Sequence, residues 1–484
     1  MAAWLVGALL VGGCSFNQAT GRLQLTAVSE SEEIQLGQEN DAEVVAALGL
    51  YEDERLSSLV EEVGAKLAAQ SERPRLPWTF RVLDDPTVNA FALPGGYVYV
   101  TRGLLVHLRS TDELAAVLGH ELGHVTARHG VIQLRKSRVA AASVGLFRVV
   151  DPNLRHVGGI AASTAGLALL KYSRDDEYEA DSLGLRYVGR AGFEPAATVS
   201  VFDVLVGVGK VEHAQRVPSW LSTHPDPQAR RTRVASMAKG EPPAADPEYL
   251  ARLDGVLYGM DPRDGYIVGE TFVHPKQGYA IDLPAGWQAS HDGPRAMAIS
   301  EDEAALLVLL PFEAESAEAA LDDFFADGSM QRGETWSGTV GGFSVVSAGF
   351  SAASSDASLM GLLAFIDYGE QVIAVVALGP VEGWEARSEV VARSFASFRR
   401  AAPALAGVEP MRVKLLTLED AATLLQVQER APSAIDLPRL ALLNTIEDPT
   451  ASLPAGTVIK RVQGIDPRTR TTQPSTPPPA HSPG

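Results

Sequence analysis

Cysteine is almost absent from this chain of 484 residues, which contains only Cys14. An intrachain disulfide is excluded, because that bond joins two cysteines. Cysteine thiolates are equally unable to build a zinc site, so histidine and carboxylate side chains remain as its candidate ligands.

Positive charge is also scarce, with 41 Lys and Arg residues against 60 Asp and Glu residues and a formal net charge of -19. General nucleic-acid binders need a basic face. We therefore expect no nucleic-acid partner. The hydrophobic fraction of 46% is typical of a globular protein, and the length predicts roughly three domains.

Long hydrophobic runs are missing as well. The apolar runs 139–147 and 157–170 are each shorter than the roughly 20 residues that a membrane-spanning helix needs. Charged residues and His156 separate the two runs. We interpret them as buried or membrane-apposed helices of a soluble domain. A transmembrane hairpin over 139–170, as in an integral membrane peptidase, is the alternative.

Residues 1–13 are apolar but carry no Lys or Arg ahead of the apolar run. Their length suits the core of a signal peptide. The run Val11-Gly12-Gly13-Cys14 resembles the bacterial lipobox, which predicts lipidation of Cys14 and a lipid anchor in a membrane. Ser15 resembles the outer-membrane sorting pattern. The alternative is a plain buried N-terminal segment.

The residues with the clearest chemistry are His120-Glu121-Leu122-Gly123-His124, which follow the apolar-periodic run 113–118. Residues four apart lie on one helix face, so both imidazoles can point at one metal ion. Glu121 lies beside them. In this H-E-x-x-H arrangement two histidines bind zinc and the glutamate is a general base. We predict a helix over 111–135, with Ser110 or Thr111 as its N-cap.

A catalytic zinc needs a third protein ligand. The metzincin pattern requires Gly at position 127 and His at position 130, but this chain has Ala127 and Gly130. His129 lies five residues after His124, roughly 140° around a continuous helix, and is expected to point elsewhere.

A carboxylate on a second helix is the remaining source of a ligand. Glu177 and Asp181 are four residues apart and share a helix face. One of them can bind zinc while the other accepts a hydrogen bond from a ligand imidazole. Glu179 falls on the opposite side of this helix, and we expect it to be exposed to solvent.

Four motifs occur in order and together resemble one family. They are the run His120 to His129, the run Asn89 to Gly96, Ser173-Arg174 with Glu177 and Ala180-Asp181, and Ser222-Thr223-His224-Pro225. The chain resembles the gluzincin peptidases of the HtpX and CAAX-prenyl-protease type over about residues 14–235. Cys14 and the run Thr20 to Leu23 make it most similar to periplasmic lipoprotein peptidases of the BepA kind.

The resemblance implies a mainly α-helical zincin-type domain with a small β-sheet, holding one zinc ion on His120, His124 and Glu177. Asp181 would be the hydrogen-bond partner of a ligand imidazole. Glu121 would take a proton from the attacking water and later hand it to the leaving amine.

The resemblance also implies that the segment Asn89 to Gly96 is an edge strand along which an extended substrate adds. The implied contacts are Asn89, Ala90, Phe91, Gly95 and Gly96. Taken alone, the strand-like runs 78–83 and 97–100 with the turn at Pro94-Gly95 predict a hairpin.

His224 is implied to lie near the metal. There it either steadies the oxyanion or occupies the open position of zinc and holds the enzyme latent. A His-Pro turn on the surface is the alternative.

The predicted organisation is multidomain: a signal peptide (1–13), the peptidase domain (14–240) and a linker (241–268), then an α/β sandwich-like domain (269–402), a small α+β module (410–463) and a disordered tail (464–484). Gly278 to Trp287 resembles the opening strand and turn of PsbP-like sandwiches. Residues 443–446 and 454–457 resemble parts of a LysM-like module, which would imply contact with peptidoglycan.

We therefore expect a zinc endopeptidase of the bacterial periplasm, lipid-anchored at Cys14 to a membrane, favouring the outer membrane. It would hydrolyse envelope proteins, for quality control of misfolded or stalled chains. The alternative is a zinc-binding envelope chaperone or assembly factor with little proteolysis.

Overall fold

The protein is represented by a computed structural model that describes residues 14–25, 28–133, 172–212, 223–326, 328, 330–353 and 358–464. The predicted signal peptide, the apolar runs 139–147 and 157–170, and all but the first residue of the predicted tail lie outside these residues. The described part divides into two compact units. Unit 1 takes residues from Met1–Gly259 and Arg412–Gln463, and unit 2 takes residues from Met260–Met411 and Gly464 onward.

Unit 1 is mainly helical. Its helices are α1 (Glu30–Leu48), α2 (Glu54–Ala68), α3 (Arg102–His107), α4 (Thr111–Ala127), α5 (Arg174–Arg190), α6 (Ala197–Glu212), α7 (Pro227–Met237) and α8 (Pro247–Leu253). Its strands before residue 260 are β1 (Cys14–Asn17), β2 (Arg22–Leu25), β3 (Thr79–Leu83), β4 (Ala90–Leu93) and β5 (Tyr97–Thr101).

The small sheet of unit 1 has the order β3-β5-β4. β5 pairs parallel to β3 and antiparallel to β4. The predicted hairpin between 78–83 and 97–100 is therefore wrong, because β4 is the hairpin partner of β5 and the turn at Gly95 and Gly96 connects them. β4 lies at the edge of the sheet.

Helix α4 begins at an N-cap Ser110, whose hydroxyl accepts a hydrogen bond from the Glu113 amide. The predicted helix over 111–135 is interrupted, because Arg128 adopts a left-handed conformation with φ 61° and ψ 32°. This conformation is unfavourable for a residue with a Cβ. The Arg128 side chain donates to the Glu33 carboxylate at 2.9 Å, a long-range contact that offsets the cost. A helical segment, 129–133, follows on a new course.

Two glycines let α5 lie unusually close to α4. A Cβ on Gly123 would lie 2.8 Å from the Ala180 carbonyl oxygen, and a Cβ on Gly184 would lie 2.9 Å from the His120 nitrogen. Larger residues would force the helices apart, since Cβ atoms do not approach backbone so closely. The close packing brings the carboxylates of α5 against the histidines of α4.

The C-terminal segment of unit 1 follows unit 2 in the chain and contains four strands and two short helices. Numbered in chain order after the strands of unit 2, its strands are β17 (Arg412–Thr417), β18 (Ala422–Thr423), β19 (Ser452–Leu453) and β20 (Val458–Gln463). Its helices are Leu424–Arg430 and Leu437–Leu443. Val413 exchanges backbone hydrogen bonds with Gly255 and Val256. The buried Lys460 donates to the carbonyls of Val106 and Leu108. The segment predicted as a separate module thus packs within unit 1.

Unit 2 is rich in sheet. Its strands are β6 (Tyr266–Val268), β7 (Thr271–His274), β8 (Tyr279–Asp282), β9 (Gln288–Asp292), β10 (Arg295–Ile299), β11 (Leu306–Phe312), β12 (Gln331–Val340), β13 (Phe343–Ala353), β14 (Ser358–Tyr368), β15 (Gln371–Pro380) and β16 (Arg399–Arg400). Its helices are Ala317–Phe325, Trp384–Ala396 and Pro403–Ala406.

One large antiparallel sheet of unit 2 has the order β12-β13-β14-β15-β11-β10-β9, and a smaller one has the order β16-β8-β7-β6. Both sheets and the helix Trp384–Ala396 contribute to one apolar core. The chain is therefore multidomain, with a helical N-terminal part and a sheet-rich part further on. Among the described helices, none is long and apolar enough to cross a membrane.

Candidate metal centre

Four buried side chains of unit 1 converge on one point. His120 and His124 extend from α4, Glu177 from the first turn of α5, and His224 precedes α7. One potential ligand atom from each residue lies within 4.8 Å of the corresponding atoms of the other three. Two predicted ligands four residues apart on one helix thus meet the predicted third ligand on another.

The distances among the three predicted ligands suit zinc. His120 Nε2 lies 3.1 Å from His124 Nε2, and Glu177 oxygens lie 3.4 Å from His124 Nε2 and 3.5 Å from His120 Nε2. Tetrahedral zinc, with bonds of about 2.0–2.1 Å, places its ligand atoms about 3.3 Å apart. The donor set of two imidazoles and a carboxylate is also one that zinc accepts. These residues therefore fit one zinc ion.

His224 takes a fourth place in the cluster. Its Nδ1 lies 3.4 Å from His120 Nε2 and 3.1 Å from Glu177 Oε1. Its side chain is fully buried, so the alternative of a His-Pro turn on the surface is wrong. Four protein ligands fill a tetrahedral zinc site, so a zinc-bound water requires that His224 is not a ligand at the same time.

Glu121 lies beside the cluster and is also buried. Its Oε1 is 3.7 Å from His224 Nε2, and neither carboxylate oxygen makes a hydrogen bond within the described residues. Burial raises the pKa of Glu121, against the opposing effect of the nearby histidines. A buried carboxylate without hydrogen bonds is costly. A cation and a water molecule in the cluster would remove that cost, which agrees with the fit to zinc.

Asp181 supports the ligand His120 from behind. Its Oδ1 lies 3.1 Å from His120 Nδ1, so a proton on Nδ1 leaves Nε2 available to the cluster. Burial opposes ionisation of Asp181, but Arg230 and His120 hold the pKa of its carboxyl below the usual range.

Arg230 contacts the residues of the site, although the sequence did not indicate it. It is buried on α7, donates two hydrogen bonds to Asp181 at 3.0 and 2.7 Å, and pairs with Glu177. Its guanidinium lies 5.0 Å from the Phe202 ring centre. Arg230 lies outside the four sequence motifs. Its position six residues after His224 is the signal that links it to the site.

His129 and Glu179 lie differently from expectation. His129 is not part of the four-residue cluster, but the helix ends before it and its Nδ1 lies 2.9 Å from His124 Nδ1. Glu179 was expected in solvent. Its side chain is only 24% exposed and its Oε2 lies 3.3 Å from His129 Nε2, so that prediction is wrong. His129 contacts His124 because the chain turns at Arg128.

The predicted substrate-binding residues lie along and beyond β4. Asn89 is buried, and its Oδ1 makes no hydrogen bond within the described residues. The Phe91 ring stacks on Tyr99 at 4.8 Å and belongs to the core, so only its backbone remains for a substrate. The Gly95 amide donates to Glu33.

A small cavity lies between the end of β4 and His124 of the cluster. It is lined by Ala92, Leu93, Pro94, His124 and Tyr172, among others. The buried Tyr172 ring stacks on His124 with ring centres 4.0 Å apart. The edge strand and the cluster are thus neighbours, as an extended ligand along β4 would require.

Residues 54–238 match the peptidase family M48. The chain is 34% identical over 203 residues to a putative beta-barrel assembly-enhancing protease of Vibrio cholerae, covering 40% of this chain and 41% of that protein. It is 31% identical over 252 residues to the mitochondrial metalloendopeptidase OMA1 of Schizosaccharomyces pombe, covering 48% and 70%. It thus spans about two-fifths of the Vibrio cholerae relative.

Among solved structures, the chain is similar to the cyanobacterial PsbP protein of Synechocystis sp. PCC 6803. The TM-score is 0.23 at 11% identity, covering 28% of this chain and 94% of that chain. A similarity at this level carries no conclusion about fold or function.

Proposed function

The chain belongs to peptidase family M48, and on that premise we propose that it is a zinc-dependent endopeptidase of the bacterial cell envelope. The observation that carries the proposal is the buried cluster of His120, His124 and Glu177 with Glu121 beside it. Bound zinc supplies Lewis-acid polarisation of the scissile carbonyl and of the attacking water.

The residues of this chain divide the remaining work. Glu121 accepts the proton of the attacking water and returns it to the leaving amine. Asp181 fixes the orientation of His120, and Arg230 keeps Asp181 and Glu177 ionised in a buried site. Each of these carboxylates would otherwise be costly to bury.

The substrate is an extended polypeptide that adds to β4 through main-chain hydrogen bonds, because β4 is an edge strand next to the cluster. Pairing through main-chain groups favours sequence-tolerant binding. The Gly95 amide, the Gly96 carbonyl and the Asn89 backbone are already hydrogen-bonded within the protein. Ala90 and the rest of β4 are therefore the residues that pair with the substrate in this proposal. Substrate contacts of Asn89, Gly95 and Gly96 remain predictions.

The Vibrio cholerae relative is named for enhancing beta-barrel assembly. This name supports the proposal that the substrates are envelope proteins that are misfolded or stalled in assembly.

Lipid anchoring at Cys14, a location at the periplasmic face of the outer membrane and peptidoglycan contact through residues 410–463 remain predictions. The same holds for the PsbP-like and LysM-like folds and for the domain boundaries.

His224 holds the enzyme latent in this proposal. Its Nδ1 lies 3.4 Å from His120 Nε2 and 3.1 Å from Glu177 Oε1, distances that suit a fourth zinc ligand, so water and substrate must displace it. Replacing it should therefore expose an open position. We expect His224→Ala to retain zinc and to cleave casein faster than the wild type, measured by metal analysis and a cleavage assay. Unchanged cleavage would contradict latency.

A second candidate function is a zinc-binding chaperone or assembly factor with little proteolysis. The closed, four-residue ligand set favours it, because structural zinc sites have four protein ligands whereas catalytic sites keep one position open.

Zinc-dependent cleavage of casein by the full chain decides between the two functions. We expect Glu121→Gln to abolish cleavage while the zinc content stays at the wild-type value, since Glu121 is not among the ligands. Asp175→Asn, at an exposed site in the first turn of α5, is the control and should cleave normally. If both the wild type and His224→Ala bind zinc but neither cleaves casein, the result supports the chaperone.

A further inference from the structure

On the side of His124 that faces away from the cluster, His129 contacts the His124 ring and Glu179 contacts His129. His124 Nδ1 lies 2.9 Å from His129 Nδ1, and both rings are buried. His129 Nε2 in turn lies 3.3 Å from Glu179 Oε2 and 3.6 Å from Asp176 Oδ1. Glu179 also faces Arg22 of β2 at 3.6 Å, an exposed pair of little energetic weight.

The tautomers along this row follow from the metal site. His124 faces the cluster through Nε2. When Nε2 binds a metal, its neutral ring carries the proton on Nδ1, which then donates to His129 Nδ1. His129, accepting at Nδ1, carries its own proton on Nε2 and donates it to the Glu179 carboxylate. Every ring nitrogen in the row then has one role.

We propose that His129 and Glu179 are positioning residues for His124: the row Glu179–His129–His124 fixes the tautomer and ring orientation of this ligand and so strengthens zinc binding. The proposal rests on the zinc site proposed above. In this proposal each ligand histidine is oriented by a carboxylate. Asp181 orients His120 directly, and Glu179 orients His124 through the ring of His129.

The row depends on the end of α4. In a continuous helix His129 would lie roughly 140° around the axis from His124. The left-handed Arg128 changes the course of the chain at that point, and the Glu33–Arg128 pair holds it there. The H-E-x-x-H motif alone therefore does not predict this row of side chains.

The test is zinc affinity of the full chain by competition with a chelator, with the absorption spectrum of the cobalt-substituted protein as a second readout. His129→Leu removes the acceptor and should weaken zinc binding about 10- to 100-fold, the usual effect of losing such a partner. The cobalt spectrum should keep its four-coordinate character, because His129 is not a ligand.

Two conservative variants separate orientation from packing. His129→Asn places an amide oxygen near the position of Nδ1, and Glu179→Gln keeps an acceptor for His129. We expect both to lose less affinity than His129→Leu and to lose similar amounts, since each impairs only the outer half of the row. His107→Leu removes a buried histidine elsewhere in unit 1 and should leave affinity at the wild-type value.

Wild-type affinity in His129→Leu, or equal losses in His129→Leu and His107→Leu, would overturn the proposal. If His129→Leu does not fold, wild-type affinity in both His129→Asn and Glu179→Gln overturns it. Wild-type protein without any zinc affinity would instead contradict the proposed function, so the two failures are distinguishable.

Discussion

At the scale of single residues, Arg230 is a buried cation that contacts the metal-ligating cluster. It neutralises two buried carboxylates, Glu177 and Asp181, and its own side chain is 1% exposed. We expect Arg230→Met to lower the free energy of unfolding of the zinc-free protein by about 3–5 kcal/mol, because it leaves buried charge without a partner.

Urea denaturation in the presence of a chelator measures the effect of Arg230→Met. Arg231→Met is the matched control: Arg231 pairs with Asp203 near the surface and should contribute at most about 1 kcal/mol. Equal losses in the two variants would mean that the Arg230 contacts stabilise no more than a surface pair.

The two pairs of candidate site residues were predictable because their spacing is local, whereas the choice of Glu177 over Asp181 as the ligand came from the family resemblance. His120 and His124 share a turn of helix, and Glu177 and Asp181 share another, so periodicity alone placed each pair on one face. Arg230, Tyr172 and the contact of His129 with His124 were not predictable. Their positions depend on where separate segments end, and on a left-handed Arg128 held by Glu33, which is 95 residues away in the chain.

At the scale of elements, the junction between α3 and α4 is fixed by a lysine from the C-terminal segment. Lys460 donates to the carbonyls of Val106 and Leu108, which lie just before the N-cap of the metal-binding helix. Glu113 and Arg109 of this junction are the charged groups that act on it. Burial lowers the pKa of Lys460 to about 7.

The pKa of Lys460 in the folded state lies below its ordinary value of 10.5, so the unfolded chain binds more protons between about pH 7 and 10.5. Stability contributed by this residue therefore rises with pH across that window and is constant below it. We expect the stability difference between the wild type and Lys460→Met to grow from about pH 7 upward, measured by urea denaturation at several pH values.

Lys414→Met is the control for Lys460→Met, because Lys414 pairs with Asp254 at the surface of the same segment. Its difference from the wild type should not grow over this range. A pH-independent difference for Lys460→Met would contradict the depressed pKa. Two carbonyls left without donors should still lower stability by about 1–3 kcal/mol each if they remain dry.

The start of α4 was predictable, since Ser110 acts as its N-cap through a local hydrogen bond. The parallel pairing of β3 with β5 was not, because strands of five residues carry little information about register or direction. Nor does local sequence show that residues 412–463 pack within unit 1, since the residues in contact are more than 150 positions apart in the chain.

At the scale of the whole molecule, zinc should stabilise one unit and not the other. The metal-ligating cluster lies wholly in unit 1, and no other group of this kind occurs among the described residues. A ligand that binds only the folded state stabilises it by about 4 kcal/mol at a concentration 1,000 times its dissociation constant. We expect removal of zinc to lower the melting temperature of unit 1 and to leave that of unit 2 unchanged.

Scanning calorimetry of the full chain with zinc and with a chelator measures both melting temperatures. The Lys460→Met variant assigns the transitions, because that side chain stabilises unit 1. His124→Ala, which removes a ligand, should melt like the chelated wild type whether or not zinc is added. A zinc-dependent shift that includes unit 2, or one that persists in His124→Ala, would mean that zinc acts outside the cluster of His120, His124, Glu177 and His224.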